Sequence, residues 1–321
     1  MSDPTAESVA LPVTRDDIVA ARARIAADVR RTPLLRLKGR PLGVDCAELW
    51  LKLEHLQLGG SFKARGMFNR MRAQPIPPAG VVIASGGNAG IAVACAAQAL
   101  GVRCEVFVPE VCSPAKRAKL AQLGARVTVG GSGYAEALQA SLQRQQQSGA
   151  LLMHAYDQPE VVAGAGTLAA EVEDEAGLPD RALVSVGGGG LIAGIAAWFE
   201  NRCRVEALEP VLAPTLHRAF AAGRPVDVDV AGIAADSLGA RRIGSIAWRV
   251  AQQHVAASHV LDDAAIRAAQ LALWTELRLA VEPAAALGLA ALTSRTVVPA
   301  PDEKVLLVIC GANLNPASLE P

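Results

Sequence analysis

Five short stretches of this chain carry residue types that could do chemistry. The first is Gly59-Gly60-Ser61-Phe62-Lys63-Ala64-Arg65-Gly66, where Lys63 opens a helical pattern continued by Met67, Phe68 and Met71. A helix N-terminus already carries partial positive charge and disfavours a cation. An amine held there among apolar groups has a lowered pKa and reacts as a nucleophile. A solvated lysine after a turn is the alternative. The second stretch is Gly187 to Gly190, between an apolar strand and a helix. Consecutive backbone N–H groups at a helix start make a phosphate cradle. Position 192 is Ile where G-x-G-x-x-G needs glycine, and no Gly-Lys-Ser/Thr follows, so dinucleotide and nucleotide loops are excluded. A turn that merely needs its glycines stays open. The third, Ser85-Gly86-Gly87-Asn88-Ala89, offers amides and a hydroxyl to an anion such as a carboxylate, although Asn88 alone reads as a turn or cap residue. Cys310 ends the last apolar strand, where a buried cysteine is commonly just a small core residue. Glu282 precedes Pro283 at a helix start, so a plain N-terminal carboxylate is its competing role.

Taken in order, the lysine, asparagine, tetraglycine and Cys-Gly segments resemble those of the tryptophan synthase β-like (fold type II) pyridoxal-phosphate enzymes, and most of all the serine/threonine dehydratases. The resemblance covers nearly the whole chain. It implies an α/β fold of two three-layer αβα domains with parallel sheets, and pyridoxal 5'-phosphate as cofactor. Lys63 is then the catalytic residue and the Schiff-base lysine. Phe62, Asn88, Gly187, Gly188, Gly189, Gly190, Leu191, Glu282 and Cys310 are the other expected cofactor contacts. Asn88 would meet the phenolic oxygen, the tetraglycine loop the phosphate, and Cys310 the pyridine nitrogen. Ser85, Gly86, Gly87, Asn88 and Ala89 would bind the substrate, a small hydroxy amino acid, by its carboxylate.

The implied reaction is β-elimination from L-serine or L-threonine to pyruvate or 2-oxobutanoate plus ammonia. A racemase, a hydroxyaspartate lyase, a β-replacement synthase and a catalytically silent amino-acid-binding protein are the rivals. Serine racemases carry a serine two residues before the asparagine, as acid/base on the face opposite the lysine; this chain has Gly86. In many relatives a glutamate at position 209, with an acidic residue six positions on, helps bind a divalent cation. Here that second position is Thr215, so the oxygen set is incomplete; a divalent cation at Glu209 stays open as an alternative without support. Asp236 lies near a segment that lines the site in relatives. A homodimer is expected by resemblance, and an appended regulatory domain after Cys310 is not expected.

The elements that must position these residues follow a βα rhythm. Apolar strands near 81–84, 104–108 and 125–129 alternate with helices, the first Ala-rich and the second capped by Ser113 with Pro114 behind it. The same alternation resumes with a helix over 159–177, a strand over 182–186 and a final strand over 304–309. Such alternation predicts parallel sheets. The expected division is a small inserted domain, 80–157, within a large discontinuous one, 1–79 and 158–321. Ahead of these, residues 1–13 read as loose, Thr14 and Asp17 as a capping box, and Ile18, Ala21, Ile25 and Val29 as one helical face. Residues 49–54 read as a buried strand.

Bulk properties exclude several classes. Among 321 residues, 31 basic and 31 acidic side chains cancel, leaving no electrostatic footprint for nucleic acid or an anionic membrane. No apolar run reaches membrane-spanning length, and no secretion signal opens the chain. The six cysteines, at 46, 95, 104, 112, 203 and 310, have no paired or metal-type spacing. They read as reduced thiols of a cytoplasmic protein.

Overall fold

The computed structural model describes residues 11–38 and 40–319, so most of the N-terminal stretch read as loose lies outside the described residues. The first half of the chain runs α1 (Arg15–Ile25), β1 (Leu34–Lys38), β2 (Glu48–Lys52), α2 (Lys63–Arg72), β3 (Val81–Ala84) and α3 (Asn88–Leu100). Next come β4 (Cys104–Val108), α4 (Pro114–Gln122), β5 (Arg126–Val129), α5 (Tyr134–Ser148) and β6 (Leu151–Leu152). The second half holds α6 (Pro159–Ala176), β7 (Arg181–Ser185), α7 (Gly190–Phe199), β8 (Arg204–Pro210), α8 (Thr215–Ala222) and α9 (Ser245–His254). It closes with β9 (Ala257–Leu261), α10 (Asp263–Leu277), α11 (Pro283–Thr293) and β10 (Lys304–Val308).

The strands form two sheets, as the βα rhythm predicts. One has the order β1-β2-β10-β7-β8-β9, and the other β5-β4-β3-β6. All neighbours are parallel except the edge pair β1 and β2, which run antiparallel with Leu35 opposite Leu51. Helices cover the sheets, so central strands are buried on both faces and read as continuous apolar runs. Val305 to Val308 of β10 and Ala182 to Ser185 of β7 are such strands. Among the described residues, no helix is long and apolar enough to cross a membrane.

Local signals mostly act as the sequence suggests. Thr14 and Asp17 make the reciprocal capping box of α1, and Ser113 caps α4 ahead of Pro114. Two boundaries differ by more than one residue. Val29 falls outside α1, which stops at Ile25. The strand expected to reach Glu54 ends at Lys52, because a single 3-10 turn over Glu54–Leu56 swings Glu54 inward.

That turn serves a buried charge cluster. Arg65 donates to both oxygens of Glu54 (2.8 and 2.8 Å) and both of Glu171 (2.7 and 2.8 Å). Lys52 donates to Glu171 (2.6 Å) and to the Thr32 carbonyl (2.7 Å). Two cations and two anions balance, and almost every donor and acceptor is used. Thus β2, the turn after it, α2 and α6 are locked into one arrangement. Losing one member leaves the others charged, buried and unpaired. Arg65→Met is expected to cost about 3–5 kcal/mol of stability. A denaturation midpoint shift shows this, and a shift like that of an exposed substitution would contradict it.

Candidate active site

Lys63 is held by hydrogen bonds on both sides of its turn. Gly59 and Gly60 take φ of +69° and +76°, a left-handed pair that L side chains rarely adopt. Ser61 then forms an antiparallel bridge with Gly311, while Phe62 N–H donates to the Cys310 carbonyl (3.1 Å) and Ala312 N–H to the Gly60 carbonyl (2.9 Å). The start of α2 is therefore stitched to the loop after β10. Lys63 Nζ donates to the Ala155 carbonyl at 2.7 Å. Burial lowers its pKa to about 8, an effect that nearby Glu282 opposes only in part. The depressed pKa expected of an amine among apolar groups at a helix start is present, and desolvation is its cause. A solvated surface lysine does not describe this residue.

The tetraglycine loop presents amides because its carbonyls are tied elsewhere. Gly187 O accepts from the Thr215 hydroxyl (2.5 Å), Gly188 O from Gly244 N–H (3.0 Å) and Gly189 O from Ala193 N–H (3.0 Å). In a trans peptide the next N–H points opposite to its carbonyl. Fixing three carbonyls thus aims the N–H groups of Gly188, Gly189 and Gly190, which find no acceptor among the described residues. Packing explains why no side chains occur here. A Cβ on Gly188 would lie 2.3 Å from the Tyr156 ring, and one on Gly189, at φ +90°, 2.4 Å from Ala247. The glycines are needed for packing, and the free amides remain as an anion site at the N-terminus of α7.

Asn88 and Glu282 meet across the crevice. Asn88 Nδ2 donates to Glu282 Oε1 (2.8 Å) and Oε2 (3.0 Å), and Asn88 Oδ1 accepts from Asn313 Nδ2 (2.6 Å). Although Glu282 is the N-cap of α11, its side chain makes no cap hydrogen bond, so it is not a helix-terminal carboxylate in the ordinary sense. Burial pushes its pKa up to about 7 against the Asn88 hydrogen bond. The Cys310 thiol is buried and pushed well above its usual range, first by burial, and so stays a neutral, weak donor.

All the expected cofactor contacts line one cavity: Phe62, Lys63, Asn88, Gly187, Gly188, Gly189, Gly190, Leu191, Glu282 and Cys310. Of the expected substrate contacts only Asn88 does; Ser85, Gly86, Gly87 and Ala89 are not among its lining residues. Gly86 instead faces Cys112, whose Sγ would lie 2.7 Å from any Cβ added there. Asp236 pairs with Lys116 (2.8 Å) at the surface, while its neighbours Ser237 and Leu238 line the cavity. Glu209 stands outside the cavity lining, and the described residues hold no group of three or more His, Cys, Asp or Glu that could bind a metal.

Sequence reasoning gave no role to Ser185, Tyr156 or Asn313, and it read Thr215 only as a missing acid. These residues come near the loops through pairings far apart in the chain. The donor set suits the cofactor that the resemblance implies. A lysine of lowered pKa matches an aldehyde, and a row of unpaired amides matches a phosphate.

Comparison with known proteins gives the same answer. The family model described as "Pyridoxal-phosphate dependent enzyme" matches residues 25–311. An L-threonine ammonia-lyase of Geobacter sulfurreducens is 36% identical over 307 residues, covering 93% of this chain and 75% of that protein. A phenylserine dehydratase of Ralstonia pickettii is 33% identical over 307 residues, covering 94% and 93%. Among solved structures, maize serine racemase superposes with a TM-score of 0.88 at 29% identity, covering 96% of each chain.

The pKa of Lys63 sets a pH signature. In the cofactor-free protein the amine is protonated below about 8 and free above it. Reductive labelling of Lys63 by a small aldehyde is expected to rise with pH and level off above that value. Peptide mapping across pH checks it, and a midpoint near that of an ordinary lysine, roughly 10.4, would contradict it.

Proposed function

Because the chain belongs to the pyridoxal-phosphate-dependent enzyme family, we propose that it is an L-threonine/L-serine ammonia-lyase, which eliminates water across the α and β carbons. The observation that carries this reading is the placement of one desolvated amine, Lys63, beside an amide-lined anion site and the Asn88–Glu282 pair. Pyridoxal phosphate, when bound, supplies an electron sink for the carbanion left at the α-carbon. The amides of Gly188 to Leu191 would hold its phosphate, and Asn88 its phenolic oxygen. Cys310 would face the ring nitrogen without protonating it. Ser85 and the amides after it would orient the substrate carboxylate, a role supported by their place at the start of α3.

Lys63, as the free amine, takes the α-proton. The resulting ammonium is the proton source this chain offers to the departing β-hydroxyl, so one residue serves both steps. Water then hydrolyses the released enamine to a 2-oxo acid and ammonia. A racemase needs a second donor on the opposite face. Gly86 has no hydroxyl there, and Cys112, which fills the space of a side chain at 86, does not line the cavity.

The remaining parts of the proposal concern organisation. The division into 1–79 with 158–321 and 80–157 is supported by the sheets, since β3 to β6 all fall within the second segment. Helix α2 joins the two, because Met67, Phe68 and Met71 pack with Ile91 and Val93 of α3. We assign a homodimer by resemblance, and a cytoplasmic location is supported by six free cysteines.

The test is 2-oxo acid release from L-serine, L-threonine, their D-isomers and 3-hydroxyaspartate with pyridoxal phosphate present. Release from L-threonine or L-serine is expected, and Lys63→Ala should abolish it together with the covalent cofactor absorbance. Turnover retained in Lys63→Ala would refute the assignment.

A further inference from the structure

Glu209 is fully buried near the end of β8, and three donors converge on it. Leu216 N–H (2.7 Å) reaches Oε1, while His217 N–H (2.7 Å) and the Ser258 hydroxyl (3.3 Å) reach Oε2; the Thr215 hydroxyl lies 3.0 Å from Oε1 but gives its one proton to the closer Gly187 carbonyl. Two of these donors are N–H groups of the first turn of α8, so the carboxylate satisfies that helix N-terminus. A hard cation wants a shell of oxygen ligands. Here both carboxylate oxygens are turned to N–H and O–H donors, and the residue six positions on is Thr215 rather than an acid. The residues present do not fit the divalent cation that relatives place here.

Thr215 also reaches the glycine loop. Its hydroxyl lies 2.5 Å from the Gly187 carbonyl while its helix is held by Glu209. Because N–H and C=O are opposed across a trans peptide, this bond decides where the Gly188 N–H points. We propose that Glu209 and Thr215 are positioning residues that replace a structural metal, bracing α8 against the Gly187 carbonyl and so aiming the loop amides at the cofactor phosphate. The inference rests on the reading of Gly187 to Gly190 as the phosphate loop.

The experiment is titration of the cofactor-free protein with pyridoxal phosphate, followed by absorbance, in chelator and in added magnesium. Wild type is expected to bind equally well in both. Thr215→Val should bind about tenfold more weakly, the size of one lost hydrogen bond. Thr215→Ser, which keeps the hydroxyl, should return to within about twofold of wild type. Thr215→Asp sets a second buried carboxylate against Glu209, and its binding should become magnesium-dependent. This variant answers the question even if Thr215→Val does not fold. Wild-type affinity that falls in chelator and recovers with magnesium would overturn the inference. So would undiminished binding by Thr215→Val, or magnesium-independent binding by Thr215→Asp as tight as wild type. Failure of wild type to bind pyridoxal phosphate under either condition would instead overturn the cofactor reading, and this inference with it.

Discussion

The buried cluster of Lys52, Glu54, Arg65 and Glu171 is the constraint from which the site follows. Charges taken out of water are tolerated only when each finds its partners, and a half-made set costs more than none. These four come from the end of β2, the turn after it, the first turns of α2 and the middle of α6. Only one relative placement of these elements satisfies all of them. Lys63 lies two residues before Arg65 on the same helix, so the position of its amine is inherited from that placement. Where the cluster puts it, the amine is desolvated and its pKa is lowered.

Sheet order then decides which loops the amine meets. In the larger sheet β10 lies between β2 and β7. The segments leaving their C-terminal ends carry Lys63, Cys310 and the tetraglycine loop, three neighbours at the edge where parallel sheets bind ligands. The smaller sheet contributes Asn88 after β3, and Asn88 reaches Glu282 across the crevice. The loops keep their shape by backbone bonds more than by side-chain packing. Tying a carbonyl outward aims the following amide inward, and the glycine loop does this at three successive residues.

The parts legible in the sequence are those with local signatures. The βα rhythm, the capping box at Thr14, the lysine after a paired-glycine turn and the four glycines before a helix all depend on neighbours along the chain; they led to the parallel-sheet fold and, through the family resemblance they carry, to the cofactor and the reaction. What was not legible depends on partners far apart. Arg65 and Glu171 are 106 positions apart, so the charge cluster was invisible and Glu54 was read as part of a strand. Asn313, which holds the Asn88 amide, and Tyr156, which packs under Gly188, belong to the same class. Thr215 was noticed only as a missing acid, when its hydroxyl is the useful group. The lowered pKa of Lys63 was anticipated from a helix start in apolar surroundings, and burial is the cause the packed structure bears out.

The central claim is that a single amine on one face of the cavity handles both proton movements, with a glycine, Gly86, where a racemase has its second acid/base. Its most direct test is the chirality of L-serine recovered during turnover by the enzyme with pyridoxal phosphate, read by chiral chromatography alongside pyruvate. The account predicts pyruvate and recovered serine that remains the L-isomer throughout. D-serine appearing at a rate comparable to pyruvate would contradict it, because it would require a second acid on the face where position 86 is a glycine.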